Sequence, residues 1–165
     1  MSLPKPEPGL VICYEFLWRD EAWNGLEYGQ KRRPCAIIVA VTDEAGKIAT
    51  IVVPITHTPP ILPSEGIEIP PGVKSHLGLD ADPAWVIVTD LNQFTWPGFD
   101  LGPIPGRKPT QYAYGMLPPR FFDQIKRRIL SLDARLKSAT SRDGQRGMGR
   151  SAAPSRPPMK PKRHR

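Results

Sequence analysis

Short runs of apolar residues, each bounded by glycine, proline, aspartate or asparagine, follow one another along most of the chain. This pattern predicts β-strands, because strands in small domains are short and are separated by turn-forming residues. A hairpin turn near Glu44 to Lys47 joins two of the predicted strands. The predicted strands cover residues 10–18, 35–41, 48–55, 66–69 and 85–91.

Several of these runs are apolar at consecutive positions, so both faces of the strand are predicted to be buried. A small closed barrel or a sandwich buries strands in this way. Within residues 117–136 the apolar spacing changes to three and four, which predicts one amphipathic helix with prolines at its start. Its apolar positions are Phe122, Ile125, Ile129, Leu132 and Leu136. We therefore expect a mainly β domain whose end is closed by a C-terminal helix.

The formal net charge of +7 comes entirely from the C-terminal segment. Residues 138–165 hold eight Lys or Arg residues against one acid, Asp143, and the remaining 15 cations and 15 anions of the chain cancel. A segment with so few apolar residues cannot bury enough apolar surface to offset the entropy cost of folding. We expect a globular domain over residues 1–137 and a disordered basic tail over 138–165, which either contacts phosphate backbones or aids solubility.

No run approaches the roughly 20 apolar residues of a membrane-spanning helix, and the first residues lack the apolar core of a signal peptide. The sequence therefore predicts a cytoplasmic protein with no membrane partner. Cys13 and Cys35 have neither metal-ligand spacing nor a disulfide pattern, and we expect buried, reduced thiols. His76 has no partner at ligand spacing, so neither a metal nor another cofactor is predicted.

Two arginines and a proline, Arg32, Arg33 and Pro34, directly precede the apolar run at 35–41. Proline biases the residue before it toward extended backbone, which predicts that Arg33 lies at the mouth of a strand. A guanidinium group presents a fork of donors that matches phosphate and that stays charged. Arg33 is therefore either a phosphate-binding residue or a rim arginine that pairs with a nearby acid.

The order of motifs around Arg33 resembles that of the MazF/PemK family of toxin endoribonucleases. The stretch NGLEYGQKRRPCAIIVAV contains Gly25 and Glu27 in a Gly-x-Glu loop that leads into Arg33-Pro34. The stretch IATIVVPITHT then ends the next strand with Pro54-Ile55-Thr56, and the resemblance spans roughly residues 8–136. It implies a small SH3-like β-barrel of the MazF/PemK/CcdB type with a C-terminal helix, usually as a homodimer.

The resemblance also implies a type II toxin that cleaves single-stranded RNA without a metal and that a cognate antitoxin inhibits. Carried over by position, Arg33 is the catalytic arginine, Thr56 is its hydroxyl partner and Glu27 is the family glutamate. Attack of the ribose 2′-OH on the adjacent phosphate leaves a 2′,3′-cyclic phosphate and a 5′-OH end, and fixed donors stabilise the developing charge. The proton acceptor is Glu27 or His57, since histidine exchanges protons near neutral pH.

Further residues near these motifs are candidates for RNA binding. Asp90 corresponds to a family aspartate, but Val88 stands where some members carry a second arginine, so another cation would have to supply that charge. Aromatic residues of the loop that follows can stack on unpaired bases, or they can pack the loop onto the barrel. The candidate RNA-binding residues are Lys31, Arg32, His57, Asp90, Asn92 and Trp96.

Two other functions are open at the level of the sequence. The same barrel occurs in CcdB-type proteins, which bind DNA gyrase without cutting nucleic acid, and a domain that lacks one catalytic cation suits such a role. Alternatively, the basic tail carries the function and the barrel is a dimeric platform for nonspecific nucleic-acid binding. The presence of both Arg33 and Thr56 favours the enzyme.

Overall fold

The computed structural model describes residues 3–26, 29, 31–134 and 137–143, and β-strands predominate among them, as predicted. The strands are β1 (Leu10–Glu15), β2 (Arg32–Thr42), β3 (Ile48–Thr56), β4 (Gly66–Glu68), β5 (Trp85–Ile87), β6 (Asp90–Thr95), β7 (Ala113–Met116) and β8 (Ser138–Ser141). The helices are α1 (Arg19–Trp23), α2 (Pro71–Leu77) and α3 (Pro119–Ser131), with a short 3₁₀ helix at Pro63–Glu65.

The strands form one largely antiparallel sheet whose main hydrogen-bonded order is β4-β5-β3-β2-β1-β7. β3 also pairs with β6, and β6 pairs in parallel with β8. In the described part of the chain the end strands β4 and β7 do not pair with each other, so the sheet is not closed into a barrel. The turn between β2 and β3 lies where predicted, and the Asp43 side chain accepts the N–H groups of Ala45 and Lys47 at 2.8 and 2.9 Å.

The central strands are buried on both faces, as their continuous apolar runs predict. Adjacent residues of β1 enter different apolar clusters, since Val11 faces one cluster and Ile12 faces the other. α3 covers the first cluster with Phe121, Ile125 and Ile129. A charged side chain in these strands is therefore surrounded by apolar groups and is costly to bury.

The C-terminal helix is confirmed, although α3 occupies only the middle of the predicted range. Pro119 is its first residue, a position where the missing proline N–H costs no hydrogen bond. No helix in the described ranges is both long and apolar enough to cross a bilayer. Cys13 and Cys35 are buried and free, as expected.

The globular domain extends past the boundary predicted at residue 137. Residues 138–141 form β8, and Arg142, which was counted in the basic tail, is buried and forms an ion pair with Asp100 (Nη2 to Oδ1, 3.0 Å). Composition placed the boundary too early, because a polar strand can be held by main-chain pairing without an apolar run of its own. The rest of the predicted tail, residues 144–165, lies outside the described residues.

Candidate active site

Arg33 lies near the start of β2, where it pairs with Tyr14 of β1. Its side chain is buried, with 6% of its surface exposed, and the guanidinium carbon is 5.2 Å from the centre of the Trp18 ring. This is a cation–π distance. Among the described residues, Arg33 Nε has no hydrogen-bond partner and no carboxylate forms an ion pair with Arg33. Within the described ranges, Arg33 is a buried cation supported by an aromatic ring, not a rim arginine paired with an acid.

Burial lowers the pKa of the Arg33 guanidinium, because loss of water disfavours its charged form. The nearby Cys35 and Glu21 act against this through their charge. Arginine nevertheless stays protonated in proteins. A buried positive charge with an unused donor is costly, and an anionic ligand could supply the missing acceptor.

Asn92 holds the residue before Trp18. Its Oδ1 accepts the N–H of Leu17 at 2.9 Å, and its Nδ2 donates to the carbonyl of Leu17 at 2.8 Å. Leu17 lies between β1 and α1, where no neighbouring strand satisfies its backbone groups. The sequence predicts that Asn92 contacts RNA, but in the structure its amide bridges β6 to this segment.

Two carboxylates hold the next two residues in the same way. Glu21 Oε1 accepts the N–H of Trp18 at 3.0 Å, and Asp90 Oδ2 accepts the N–H of Arg19 at 3.0 Å. Both acids are buried. Three consecutive backbone N–H groups are thus bound by polar side chains, and these bonds fix Trp18 beside Arg33.

Thr56 is the last residue of β3 and is buried. β2 and β3 pair Cys35 with Pro54, and these residues lie two positions after Arg33 and two positions before Thr56, respectively. Thr56 Oγ1 accepts the N–H of Thr58 at 3.1 Å, and a hydroxyl that accepts in this way can still donate its own proton. The predicted catalytic arginine and hydroxyl therefore lie at the same end of the β2–β3 pair.

His57 is exposed and contacts the loop between α2 and β5. Its Nδ1 lies 2.8 Å from the Pro83 carbonyl oxygen, and its Nε2 lies 3.1 Å from Asp80 Oδ2. Both ring nitrogens are therefore engaged by that loop. Asp82 lies in the same loop, and its carboxylate completes a cluster of three possible metal ligands with His57 and Asp80.

Other predicted residues are dispersed. The backbone N–H of Trp96 donates to the Ile48 carbonyl at 2.9 Å, at the opposite end of β3 from Thr56. Arg32 is exposed and packs closely across Gly102, so a side chain at position 102 would displace the Arg32 side chain. Lys31 is exposed, and Glu27 lies outside the described residues.

Val88, at the position of the second family arginine, is fully buried beneath α3.

A cavity of about 370 Å³ lies next to Trp96 and the loop that follows it. Trp96 packs on Phe94 with ring centres 6.2 Å apart, whereas Phe99 is 79% exposed. The Asp100–Arg142 ion pair forms part of the wall. Trp96 therefore matches the packing alternative for this loop, whereas the ring of Phe99 is largely exposed to solvent.

Sequence reasoning missed the groups that support Arg33, and it missed the metal-ligand cluster. Glu21 lies three residues after Trp18, the residue that precedes α1, and this is the glutamate position of a capping box, a local signal for the start of a helix. Asp80 and Asp82 are far from His57 along the chain, and no local spacing connects them. A comparison of the chain with known protein families and with curated proteins found no match.

Proposed function

We propose that the protein is a metal-independent endoribonuclease toxin of a type II toxin–antitoxin system, and that its open, mainly antiparallel sheet is a variant of the SH3-like fold of the MazF/PemK type. The observation that supports this most strongly is the buried Arg33, which has aromatic support but no carboxylate partner in the described ranges. Its unused donor suits a ligand that brings its own negative charge, such as a phosphodiester. The motif resemblance assigns the catalytic role to the same residue.

In this proposal Arg33 donates hydrogen bonds to the non-bridging oxygens of the scissile phosphate, and the Thr56 hydroxyl is a second donor. The ribose 2′ oxygen attacks phosphorus and gives its proton to a base. The P–O5′ bond breaks, the 5′ oxygen takes up a proton, and a 2′,3′-cyclic phosphate remains. Donors in a water-poor site stabilise the charge that develops on the phosphoryl oxygens.

Glu27 is the proton acceptor that we assign, from its place in the family motif. His57 suits this role less well, because its Nδ1 must donate to the Pro83 carbonyl and its Nε2 faces Asp80. Asp90 and Asn92 act as positioning residues in this proposal, since they bind backbone groups of Arg19 and Leu17.

The biological setting follows from the same resemblance. The toxin would act in the cytoplasm as a homodimer, and an extended segment of a cognate antitoxin would cover the cleft. Lys31 and Arg32, both exposed, would contact the RNA backbone outside the cleavage site. Phe99 would offer an exposed ring to an unpaired base.

Incubation of the purified protein with a long single-stranded RNA in EDTA, followed by mapping of new 5′-OH ends, tests the proposal. We expect cuts by the wild type and none by Arg33→Ala. Arg127→Ala is the matched control, because Arg127 is an exposed arginine on α3 with no role in the proposed site. Circular dichroism verifies that each variant is folded. Cleavage by Arg33→Ala at the wild-type rate would show that Arg33 is not catalytic.

A noncatalytic binding protein of the MazF/CcdB fold, which recognises gyrase or nucleic acid, is the second candidate. The burial of Val88 in the apolar cluster beneath α3 favours it, since no cation stands at the position of the second family arginine. Absence of cuts by the folded wild type, together with retained binding of RNA or gyrase, would support this candidate over the enzyme.

A further inference from the structure

Three side chains that can bind a metal ion meet on the surface beyond the end of β3. His57 directly follows that strand, and Asp80 and Asp82 lie in the loop between α2 and β5. One ligand atom from each residue lies within 4.8 Å of the other two. All three residues are exposed, so an ion can reach them from solvent.

The hydrogen bonds of His57 place two acceptors face to face. The Pro83 carbonyl oxygen, 2.8 Å from Nδ1, can only accept, so Nδ1 carries the ring proton. Nε2 then faces Asp80 Oδ2 at 3.1 Å, and in the neutral ring both of these atoms are acceptors. Either a second proton or a cation must lie between them. Two ligands that are each about 2.1 Å from one ion lie about 3.0 to 3.4 Å apart at ordinary coordination angles, which fits the observed separation.

The contact with Pro83 is the kind of support that metal-binding histidines have. Such histidines usually donate their second ring N–H to a carbonyl or a carboxylate, which fixes the ring and the tautomer. Here the bond leaves the lone pair of Nε2 directed at Asp80. The ring is therefore oriented for coordination before any ion binds.

The loop that carries the two aspartates is fixed relative to His57. The buried Lys74 donates from Nζ to the carbonyls of Ala81 at 3.0 Å and Asp82 at 2.8 Å. β5 begins shortly after the loop, and its first residue, Trp85, pairs with Thr56. Because main-chain and side-chain bonds already hold both segments, less entropy is lost when the ligands gather around an ion.

We propose that His57, Asp80 and Asp82 bind one divalent first-row transition-metal ion, with Zn²⁺ preferred over Mn²⁺ and Mg²⁺. Imidazole nitrogen is a good ligand for Zn²⁺, whereas Mg²⁺ prefers oxygen ligands. The general order of affinities also places Zn²⁺ above Mn²⁺. The ion would join the end of β3 to the loop between α2 and β5. It has no part in the proposed RNA cleavage, which needs no metal.

Titration of metal-free, full-length protein with Zn²⁺ tests the site by calorimetry and thermal unfolding. We expect one Zn²⁺ per chain at this site and a higher Tm, with no comparable shift from Mg²⁺ at the same concentration. His57→Ala and Asp80→Asn should each weaken Zn²⁺ binding at least about tenfold. His76→Ala and His164→Ala are the controls, because His76 forms a hydrogen bond with the Met116 carbonyl, away from the proposed site, and His164 lies in the C-terminal segment. Both controls should bind Zn²⁺ as the wild type does.

Unchanged Zn²⁺ affinity in His57→Ala and Asp80→Asn would overturn the proposal, and so would a lack of stoichiometric binding by the folded wild type. A protonated His57 paired with Asp80 would then account for their 3.1 Å contact. Asp80→Asn preserves the shape of the side chain, so a loss of binding in this variant is not a folding defect. The result is independent of the RNA cleavage assay, which is performed in EDTA, and the two proposals can therefore fail separately.

Discussion

Two equally buried arginines, Arg33 and Arg142, have opposite surroundings, and this difference indicates that they have different roles. Arg142 forms an ion pair with Asp100 at 3.0 Å and donates to the Glu15 carbonyl at 3.3 Å. Arg33 has the ring of Trp18 and no carboxylate partner within the described ranges. Removal of one member of a buried ion pair is costly, because the other member stays charged and buried. Replacement of an unpaired buried charge by an apolar group is often neutral or stabilising. Arg142 is therefore structural, and Arg33 is available to a ligand.

We expect Arg33→Met to abolish RNA cleavage without lowering the free energy of unfolding. Methionine keeps apolar contact with Trp18 and removes a buried charge whose Nε has no partner in the described part of the chain. Arg142→Met should instead lower the free energy of unfolding by about 3 kcal/mol or more, since Asp100 is left charged and buried. Urea unfolding of both variants measures this difference. A large loss of stability in Arg33→Met would assign Arg33 to the fold and remove the main support for the proposed function.

Among the elements, α1 depends most on side chains from other parts of the chain. It has five residues, which is too short for a helix to be stable by itself in water. Glu21, Asp90 and Asn92 bind the backbone at and just before its start. The position of Trp18, and with it the support of Arg33, therefore depends on these three side chains.

Substitutions of Glu21 separate a positioning role from a catalytic one. We expect Glu21→Gln to retain most RNA cleavage, because the glutamine carbonyl can still accept the Trp18 N–H that Glu21 Oε1 accepts at 3.0 Å. Glu21→Ala should lower both the cleavage rate and the free energy of unfolding, the latter by about 1–2 kcal/mol. Cleavage rates and urea unfolding provide the two readouts. If Glu21→Gln loses cleavage but keeps its stability, Glu21 is the proton acceptor in place of Glu27.

The same elements show how far the sequence predicts this structure. β2 and β3 were predictable because both of their faces are buried and a short turn joins them. β7 and β8 have four residues each and no continuous apolar run, so their existence depends on pairing with β1 and β6. The positions of Arg33 and Thr56 at strand ends were predictable because each stands at the end of a strong strand pattern. The bond from Asn92 to Leu17 spans 75 residues, and local patterns contain no information about such pairs.

At the scale of the whole molecule, the burial of several weak acids makes the free energy of unfolding depend on pH in the alkaline range. Burial raises the pKa values of Cys13, Tyr14, Cys35 and Tyr114, because their charged forms lose contact with water. In the unfolded chain, thiols and phenols ionise near about pH 8.5 and 10 respectively. Above those values the unfolded state loses protons that the folded state keeps. The stability is therefore fully present below about pH 8.5 and is lost as the pH rises.

We expect the free energy of unfolding to be nearly constant with respect to these groups up to about pH 8.5 and to fall above it, by up to about 1.4 kcal/mol per pH unit for each group. Urea unfolding between neutral and strongly alkaline pH measures the slope. Tyr14→Phe should reduce the slope, because Tyr14 is buried and its hydroxyl has no hydrogen-bond partner in the described structure. A profile that stays flat well above pH 10 would contradict this account of the buried acids.

The charge of the molecule is divided sharply at the end of the described structure. Residues 144–165 carry seven Lys or Arg residues and no acid, whereas the 16 cations and 16 anions of residues 1–143 cancel. Each phosphate contact made by a cation contributes about 0.7 to the salt dependence of single-stranded RNA binding. If the C-terminal segment binds RNA, it dominates this dependence, whereas the proposed cleavage site lies in the neutral domain.

We expect a chain truncated after Asp143 to cut RNA at the same positions as the full chain. In an Arg33→Ala background, which prevents cleavage during the measurement, truncation should lower the slope of log affinity against log salt by up to about 5. Ending the chain at residue 143 keeps β8 and the Arg142–Asp100 ion pair, and circular dichroism compares the fold of the two chains. An unchanged slope would show that the segment does not contact RNA. Loss of cutting by the folded, truncated chain would instead assign the activity to the segment, and the domain would then be the platform that positions it.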